Sequence, residues 1–96
     1  MIFKDVKKIL KVHQKDLVDK GVRALSIFGS IAKNQGLATS DVDILIDFDS
    51  KRGMFVFIDL KTYLESILGC DVDLVTKNAL HPALKQKILS EAKNVF

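Results

Sequence analysis

Three short apolar segments, separated by longer stretches of chain, limit the folds that this sequence can adopt. Val22–Phe28 and Val42–Phe48 are rich in β-branched and aromatic residues, and residues 70–75 form a third segment of the same kind. Apolar runs of about four to eight such residues, bounded by glycine or polar residues, are typical of buried strands. We therefore predict three strands.

Segments with helical periodicity separate these strands. Apolar residues recur at helical spacing in residues 3–20 and 54–68, and Pro82 suits the first turn of a last helix. Residues 30–35 have room for one or two helical turns, and the small polar residues 36–40 predict a loop. The order α-β-α-β-α-β-α predicts an α/β fold in which helices cover a small, mixed, three-stranded sheet.

Length and composition limit the class of protein. The 96 residues, 48% of them hydrophobic, predict a single folded domain over residues 1–96. The apolar runs are too short to span a bilayer, the first residues lack the apolar region of a signal peptide, and one cysteine excludes an internal disulfide. We therefore expect a cytoplasmic protein with no membrane partner. The net charge of +3 carries little weight, because lysines on the solvated side of the first helix account for much of it, and it does not predict direct nucleic acid binding.

Two Asp-Val-Asp triplets lie at the starts of the second and third predicted strands. Side chains alternate along a strand, so Asp41 and Asp43 share one face, as do Asp71 and Asp73. Two carboxylates about 4 Å apart repel by roughly 4 kcal/mol at an effective dielectric near 20, and a cation relieves this repulsion. Hard oxygen ligands favour Mg²⁺, with Mn²⁺ as a substitute, and one Cys with two His make no zinc site.

Gly29 and Ser30 follow the first predicted strand directly. Gly29 has no side chain, so a phosphate can approach the backbone closely, and Ser30 opens a short helix whose free N–H groups favour an anion. The ten residues between Ser30 and Asp41 can cross that helix and return along the neighbouring strand. The sequence therefore predicts that a phosphate cradle and metal-binding carboxylates meet at one sheet edge, as a nucleoside triphosphate site requires.

This arrangement resembles the signature of the DNA polymerase β-like nucleotidyltransferase superfamily. The resemblance rests on Gly29-Ser30, the ten-residue interval, Asp41-Val42-Asp43 and the later Asp73, and it spans nearly the whole chain. The stretch LESILGCDVDLVTKNALHPALKQKIL is similar to the C-terminal half of the minimal nucleotidyltransferases, the MNT proteins encoded beside HEPN-domain proteins. The resemblance implies the nucleotidyltransferase fold, similar to the palm of polymerase β.

The resemblance also implies a reaction that uses two metal ions. Asp41 and Asp43 would bridge both Mg²⁺ ions, while Asp73 would hold the catalytic ion and help to deprotonate the acceptor hydroxyl. Gly29 and Ser30 would bind the β- and γ-phosphates of ATP.

A third phosphate contact is expected from Lys33. Residues 33 and 34 are Lys-Asn where many relatives have Arg-Gly. Lys33 keeps the positive charge of that arginine but not its bidentate fork, which predicts weaker phosphate binding.

In this family, the MNT protein is typically the antitoxin that pairs with a HEPN toxin, and it transfers AMP from ATP to a toxin tyrosine. The 96 residues leave no room for a second, acceptor-binding domain, so we expect a partner subunit or another copy of this chain to bring the hydroxyl. Two alternatives remain at the sequence level. One is an antitoxin that only binds and masks its partner, and the other is a nucleotidyltransferase with a small-molecule or RNA acceptor.

Other candidate residues have simpler interpretations. We expect Asp47 and Asp71 to be ordinary surface charges, Cys70 a small buried strand residue and His81 part of a turn; His13 is expected at the boundary of the first helix. Residues 54–58, MFVFI, are apolar on too many sides for one helix face, so part of this stretch is expected to face a partner.

Overall fold

The computed structural model describes residues 2–33 and 41–96. Its helices are α1 (Phe3–Val12), α2 (Gln14–Asp19), α3 (Gly29–Ala32), α4 (Gly53–Leu68) and α5 (Pro82–Glu91). Its strands are β1 (Val22–Phe28), β2 (Val42–Phe48), β3 (Val72–Thr76) and β4 (Lys93–Asn94), and short 3-10 helices occupy Ser50–Arg52 and Lys77–Ala79. The predicted loop at residues 36–40 and the end of the predicted helix at 30–35 lie outside the described residues.

Within the described residues, the sheet has four strands in the order β3-β2-β1-β4. β1 runs antiparallel to β2 and to β4, whereas β2 and β3 are parallel. The mixed α/β fold is confirmed, but the count of three strands was wrong. β4 is only two exposed residues long, too short for an alternating pattern, and backbone hydrogen bonds hold the following segment: Val95 N–H donates to Leu25 O over 2.8 Å.

The single helix predicted over residues 3–20 is divided at His13. His13 adopts φ −98° and ψ 12°, which ends α1, and its ring Nδ1 lies 2.8 Å from Ile9 O. The ring also meets Tyr63 of α4 edge-on, with 6.0 Å between the ring centroids. The sequence pattern hid this break, because Leu17 of α2 enters the same core as Leu10 of α1.

One face of the sheet carries most of the core. Alternate residues of the strands pack there against α1, α2 and α4, and the buried set comprises Val6, Leu10, Leu17, Val22, Leu25, Ile27, Val42, Ile44, Ile46, Leu60, Leu64, Leu68, Val72 and Leu74. Helix α4 ends at Gly69, which takes a left-handed conformation with φ 70° and ψ 25°. This face sets the register of β2 and β3, because slipping either strand by one residue would turn its apolar side chains outward.

Two elements differ from expectation near the end of the chain. The third strand begins at Val72 rather than at residue 70, so Cys70 lies in the preceding bend and is only partly buried. None of the ten described residues of α5 is fully buried, and its leucines Leu84 and Leu89 are exposed. In the described part of the chain, no helix combines the length and apolar character needed to cross a membrane.

The stretch at residues 54–58 is divided between core and surface. Phe57 packs against Phe48 with 5.8 Å between ring centroids, whereas the side chains of Met54, Phe55 and Ile58 are exposed. The expectation that this stretch is not all core is therefore met, and its facing a partner stays a prediction.

The two helices α4 and α5 should respond differently to the same truncation. Leu64→Ala removes a fully buried side chain and should lower the free energy of unfolding by about 2–5 kcal/mol. Leu84→Ala changes an exposed side chain of α5 and should cost less than about 0.5 kcal/mol. Urea denaturation of both variants measures the difference, and equal losses would contradict this assignment of the core.

Candidate active site

Asp43 and Asp73 lie side by side on neighbouring strands. In the parallel pair β2–β3, the Cα partner of Asp43 is Asp73, and the preceding pair is Val42 with Val72. Neighbouring strands are about 4.8 Å apart and partner residues point to the same face. Because Val42 and Val72 are buried in the core, both aspartates point to the opposite face.

Asp41 lies just before β2 and is exposed to solvent. Burial and the neighbouring carboxylates raise the pKa of Asp43 above its ordinary value: burial has the largest effect, followed by the charge of Asp73 and then that of Asp41. All three predicted carboxylates are therefore close enough for their charges to interact. This electrostatic coupling agrees with the strand register, which places Asp43 next to Asp73 independently of any charge.

The carboxylates are near one another without yet forming a coordination shell. Among the residues with described positions, no three His, Cys, Asp or Glu side chains are gathered closely enough to hold a metal ion. Like charges favour separated rotamers when no cation lies between them. The backbone register sets the spacing of Asp43 and Asp73, whereas Asp41 lies before the paired residues of β2.

Gly29 lies directly against Asp43. It follows β1 with φ +71°, a conformation that favours glycine, and Phe28 just before it is the register partner of Asp43. A Cβ at position 29 would lie 3.0 Å from Asp43 Cγ and would overlap the Oδ2 atom. The glycine is therefore needed twice, once for the turn after β1 and once for the space that the Asp43 carboxylate occupies.

Ser30 and Lys33 lie on the single turn that follows. Ser30 is partly buried within α3, and Lys33 ends this helix by donating its N–H to Gly29 O and Ser30 O over 3.3 and 3.2 Å. The Lys33 ammonium is 3.2 Å from Glu91 Oε1 at the end of α5. The sequence analysis missed Glu91, because it lies far along the chain from Lys33 and carries no local motif.

The chemistry of these donors fits a hard divalent cation. Asp41, Asp43 and Asp73 offer only carboxylate oxygens, which Mg²⁺ and Mn²⁺ prefer. Burial raises the pKa of Asp43 most, and the charges of Asp73 and Asp41, which a cation would neutralise, raise it further. Mg²⁺ usually keeps few protein ligands and completes its octahedron with water and substrate phosphates. Three carboxylates beside Gly29 suit that type of site.

Other polar candidates lie outside this group. Asp47 is near the other end of β2, 3.9 Å from Arg23 Nη1, and Asp71 is exposed before β3. His81 is the extended N-cap of α5, where it accepts a hydrogen bond from Ala83 N–H over 3.1 Å, rather than the turn residue that was predicted. These contacts give Asp47 and His81 structural roles.

The family model for polymerase β nucleotidyltransferases matches residues 4–96, which is almost the whole chain. The chain belongs to the polymerase β nucleotidyltransferase family. This match agrees with the resemblance that the Gly-Ser and Asp-Val-Asp motifs predicted, and with the mixed sheet described above.

Three known proteins illustrate what this nucleotidyltransferase is similar to. The protein adenylyltransferase MntA of Thermococcus cleftensis is 38% identical over 92 residues, which cover 95% of this chain and 93% of the relative. A solved structure described as a candidate minimal nucleotidyltransferase has a TM-score of 0.85 at 29% identity and covers 97% of this chain and 95% of its own. A structure of a tri-AMPylated Shewanella oneidensis HEPN toxin with MNT antitoxin has a TM-score of 0.61 at 20% identity, covering 90% and 71%. This last likeness supports the fold alone.

The fit of Gly29 against Asp43 can be tested with a matched glycine. Gly69 has φ +70°, close to that of Gly29, but no described atom lies within 4 Å of a Cβ built there. Gly69→Ala should cost about 1–2 kcal/mol for the left-handed backbone alone. Gly29→Ala should cost at least about 1 kcal/mol more, because its Cβ displaces the Asp43 carboxylate. Thermal and urea unfolding measure both, and equal costs would contradict the close contact.

The charge on Asp43 should make the protein less stable at neutral pH. Its pKa is raised in the folded state, so the contribution of Asp43 to the free energy of unfolding is highest below the ordinary value of 3.8 and falls as pH rises through the raised value. Asp43→Asn, which mimics the protonated form, should therefore raise Tm at pH 7, and the gain should shrink as pH falls toward 4.

The exposed Asp59→Asn on α4 serves as the charge-matched control for that comparison, and its effect should stay within about 0.5 kcal/mol at both pH values. A lower Tm for Asp43→Asn than for this control at pH 7 would show that the carboxylate stabilises the fold.

Proposed function

We propose that this nucleotidyltransferase moves AMP from ATP to a hydroxyl group of a partner protein. The observation that carries the proposal is the in-register pair of Asp43 and Asp73 beside Gly29, in a chain that belongs to this family over residues 4–96. The name of the MntA relative, a protein adenylyltransferase, supports AMP as the transferred group and a protein as the acceptor.

The metal ligands in this proposal are Asp41, Asp43 and Asp73. Asp41, Asp43 and Asp73 would hold the two Mg²⁺ ions, with the exposed Asp73 on the side that an acceptor can reach. When bound, the ions supply Lewis acidity and neutralise the charge that develops on the transferred phosphoryl group. Gly29 and Ser30 would hold the β- and γ-phosphates next to Asp43.

The transfer itself is an in-line displacement at the α-phosphorus. The acceptor hydroxyl oxygen forms a bond to this phosphorus while the bond to the oxygen that bridges to the β-phosphate breaks, and pyrophosphate leaves. Asp73 accepts the hydroxyl proton, because it is the more exposed member of the Asp43–Asp73 pair and lies where an acceptor can approach. Lys33 adds positive charge on the phosphate side.

The proposed partner is a HEPN toxin, with a tyrosine hydroxyl as the acceptor. The fold shared with the MNT antitoxin, in a complex whose HEPN toxin is tri-AMPylated, supports this choice. In this role the chain is the antitoxin of a toxin–antitoxin pair, and it works in the cytoplasm.

Labelled ATP tests the reaction directly. The chain is incubated with [α-³²P]ATP, Mg²⁺ and the HEPN protein encoded beside it, and label should appear on a HEPN tyrosine. Asp41→Asn combined with Asp43→Asn should lower the rate at least about a thousandfold, because metal-based stabilisation worth several kcal/mol is lost at 1.36 kcal/mol per tenfold. Chelation of Mg²⁺ should have the same effect.

Asp71→Asn is the matched control, since it removes a carboxylate two residues from Asp73 without touching the proposed ligands. Its rate should stay within a few fold of the wild type. Label that survives the double substitution, or a loss of rate in Asp71→Asn as large as in the double variant, would contradict the proposed site.

A second function has one structural observation in its favour. The Lys33 ammonium forms its ion pair with Glu91 rather than with a residue of the proposed phosphate site. This arrangement suits an antitoxin that only masks its partner. That function predicts that the double aspartate variant still binds the HEPN protein and still protects cells. Loss of protection together with loss of label would favour the transferase.

A further inference from the structure

The ion pair between Lys33 and Glu91 joins the candidate phosphate site to the last helix. Lys33 Nζ is 3.2 Å from Glu91 Oε1, with the two side chains 45% and 29% exposed. Lys33 also follows α3 directly and donates its N–H to Gly29 O and Ser30 O. One residue, Lys33, therefore contacts the proposed phosphate-binding residues through its backbone and α5 through its side chain.

Glu91 is in an unfavourable place for its own helix. It is the last residue of α5, where the partial negative charge of the helix C-terminus repels a carboxylate and favours a lysine or arginine instead. Nothing in local helix chemistry explains an acid there. The Lys33 ammonium does explain it, since it neutralises the carboxylate at the point where the helix end repels it.

The rest of α5 is only loosely attached. Its described residues are all exposed or partly buried, and the partly buried ones, Ile88 and Glu91, lie in its second half. The segment after α5 is held to β1 through β4 and the Val95–Leu25 hydrogen bond. For α5 itself, the ion pair at its end is a larger share of the attachment than it would be for a helix with a buried face.

We propose that the Lys33–Glu91 pair is a nucleotide-sensitive latch, in which Glu91 competes with the triphosphate for Lys33 and α5 loosens when the nucleotide binds. The proposal rests on the proposed function, because it assumes a triphosphate beside Gly29 and Ser30. A triphosphate carries several negative charges and Glu91 only one, so a flexible lysine that reaches both should move to the phosphates. Glu91 is then a positioning residue that weakens nucleotide binding and couples it to α5.

A double-mutant cycle measures the competition. The dissociation constant of AMP-PNP with Mg²⁺ is measured by calorimetry for the wild type, Glu91→Gln, Lys33→Met and the double variant. Exposed ion pairs are weak, so Glu91→Gln should tighten binding about two- to fivefold. Lys33→Met should weaken binding, and Glu91→Gln should have no further effect in that background. The gain should also shrink at high salt, which screens the pair.

Asp59→Asn, which removes the same charge from exposed α4, is the control and should leave the dissociation constant unchanged. Hydrogen exchange reports the second half of the proposal. AMP-PNP should slow exchange at residues 29–33 and should speed it about two- to fivefold at residues 88–92 in the wild type. In Glu91→Gln, exchange at residues 88–92 should already be fast and should not respond to the nucleotide.

Several results would overturn the latch. The first is a Glu91→Gln variant that binds AMP-PNP no tighter than the wild type. The second is tighter AMP-PNP binding by Glu91→Gln that persists in the Lys33→Met background. The third is slower hydrogen exchange at residues 88–92 when the nucleotide binds. If AMP-PNP binds and AMP is transferred in any of these cases, the proposed function stands and only the latch fails. If AMP-PNP does not bind the wild type at all, both fail.

Discussion

The parallel pairing of β2 with β3 holds two carboxylates in adjacent positions, and the proposed chemistry depends on that contact. Asp43 and Asp73 are register partners, so neither can move away without breaking the sheet. Two such charges about 4 Å apart repel by roughly 4 kcal/mol at an effective dielectric near 20. The buried residues on the opposite face offset this repulsion, because any change of register would expose them. Burial, and after it the charges of Asp73 and Asp41, raise the pKa of Asp43 above its ordinary value.

One face of the sheet thus forms the core, and the other carries the candidate active site. One face packs Ile44 and Leu74 against helices α1, α2 and α4, while the other presents Asp43 and Asp73 next to the turn at Gly29. Because alternate residues of one strand serve the two faces, the charged site adds no polar residue to the core. A chain of 96 residues can therefore combine a cluster of carboxylates with a small apolar core.

The parts of this arrangement that could be predicted are those with short-range patterns. β-branched runs gave β1 and β2 with their bounds, and the alternation within Asp41-Val42-Asp43 placed the carboxylates on one face. The interval between Ser30 and Asp41 predicted that the turn and the carboxylates meet, and the contact between Gly29 and Asp43 agrees with it.

The features that sequence patterns missed depend on contacts between distant residues. β4 has two exposed residues and is held by backbone bonds around Leu25, which no side-chain pattern reveals. The break at His13 was hidden because both helix segments face one core. The Lys33–Glu91 pair joins the middle of the chain to its end, and the exposure of Leu84 depends on how α5 lies against the sheet.

The central claim is that Asp41, Asp43 and Asp73 together bind divalent cations beside a triphosphate. Anomalous diffraction from crystals grown with Mn²⁺ and AMP-PNP tests it most directly. The account predicts manganese peaks about 2.0–2.3 Å from carboxylate oxygens of all three aspartates and from phosphate oxygens of the nucleotide. Nucleotide bound without manganese at these carboxylates, or manganese held by only one of them, would contradict it.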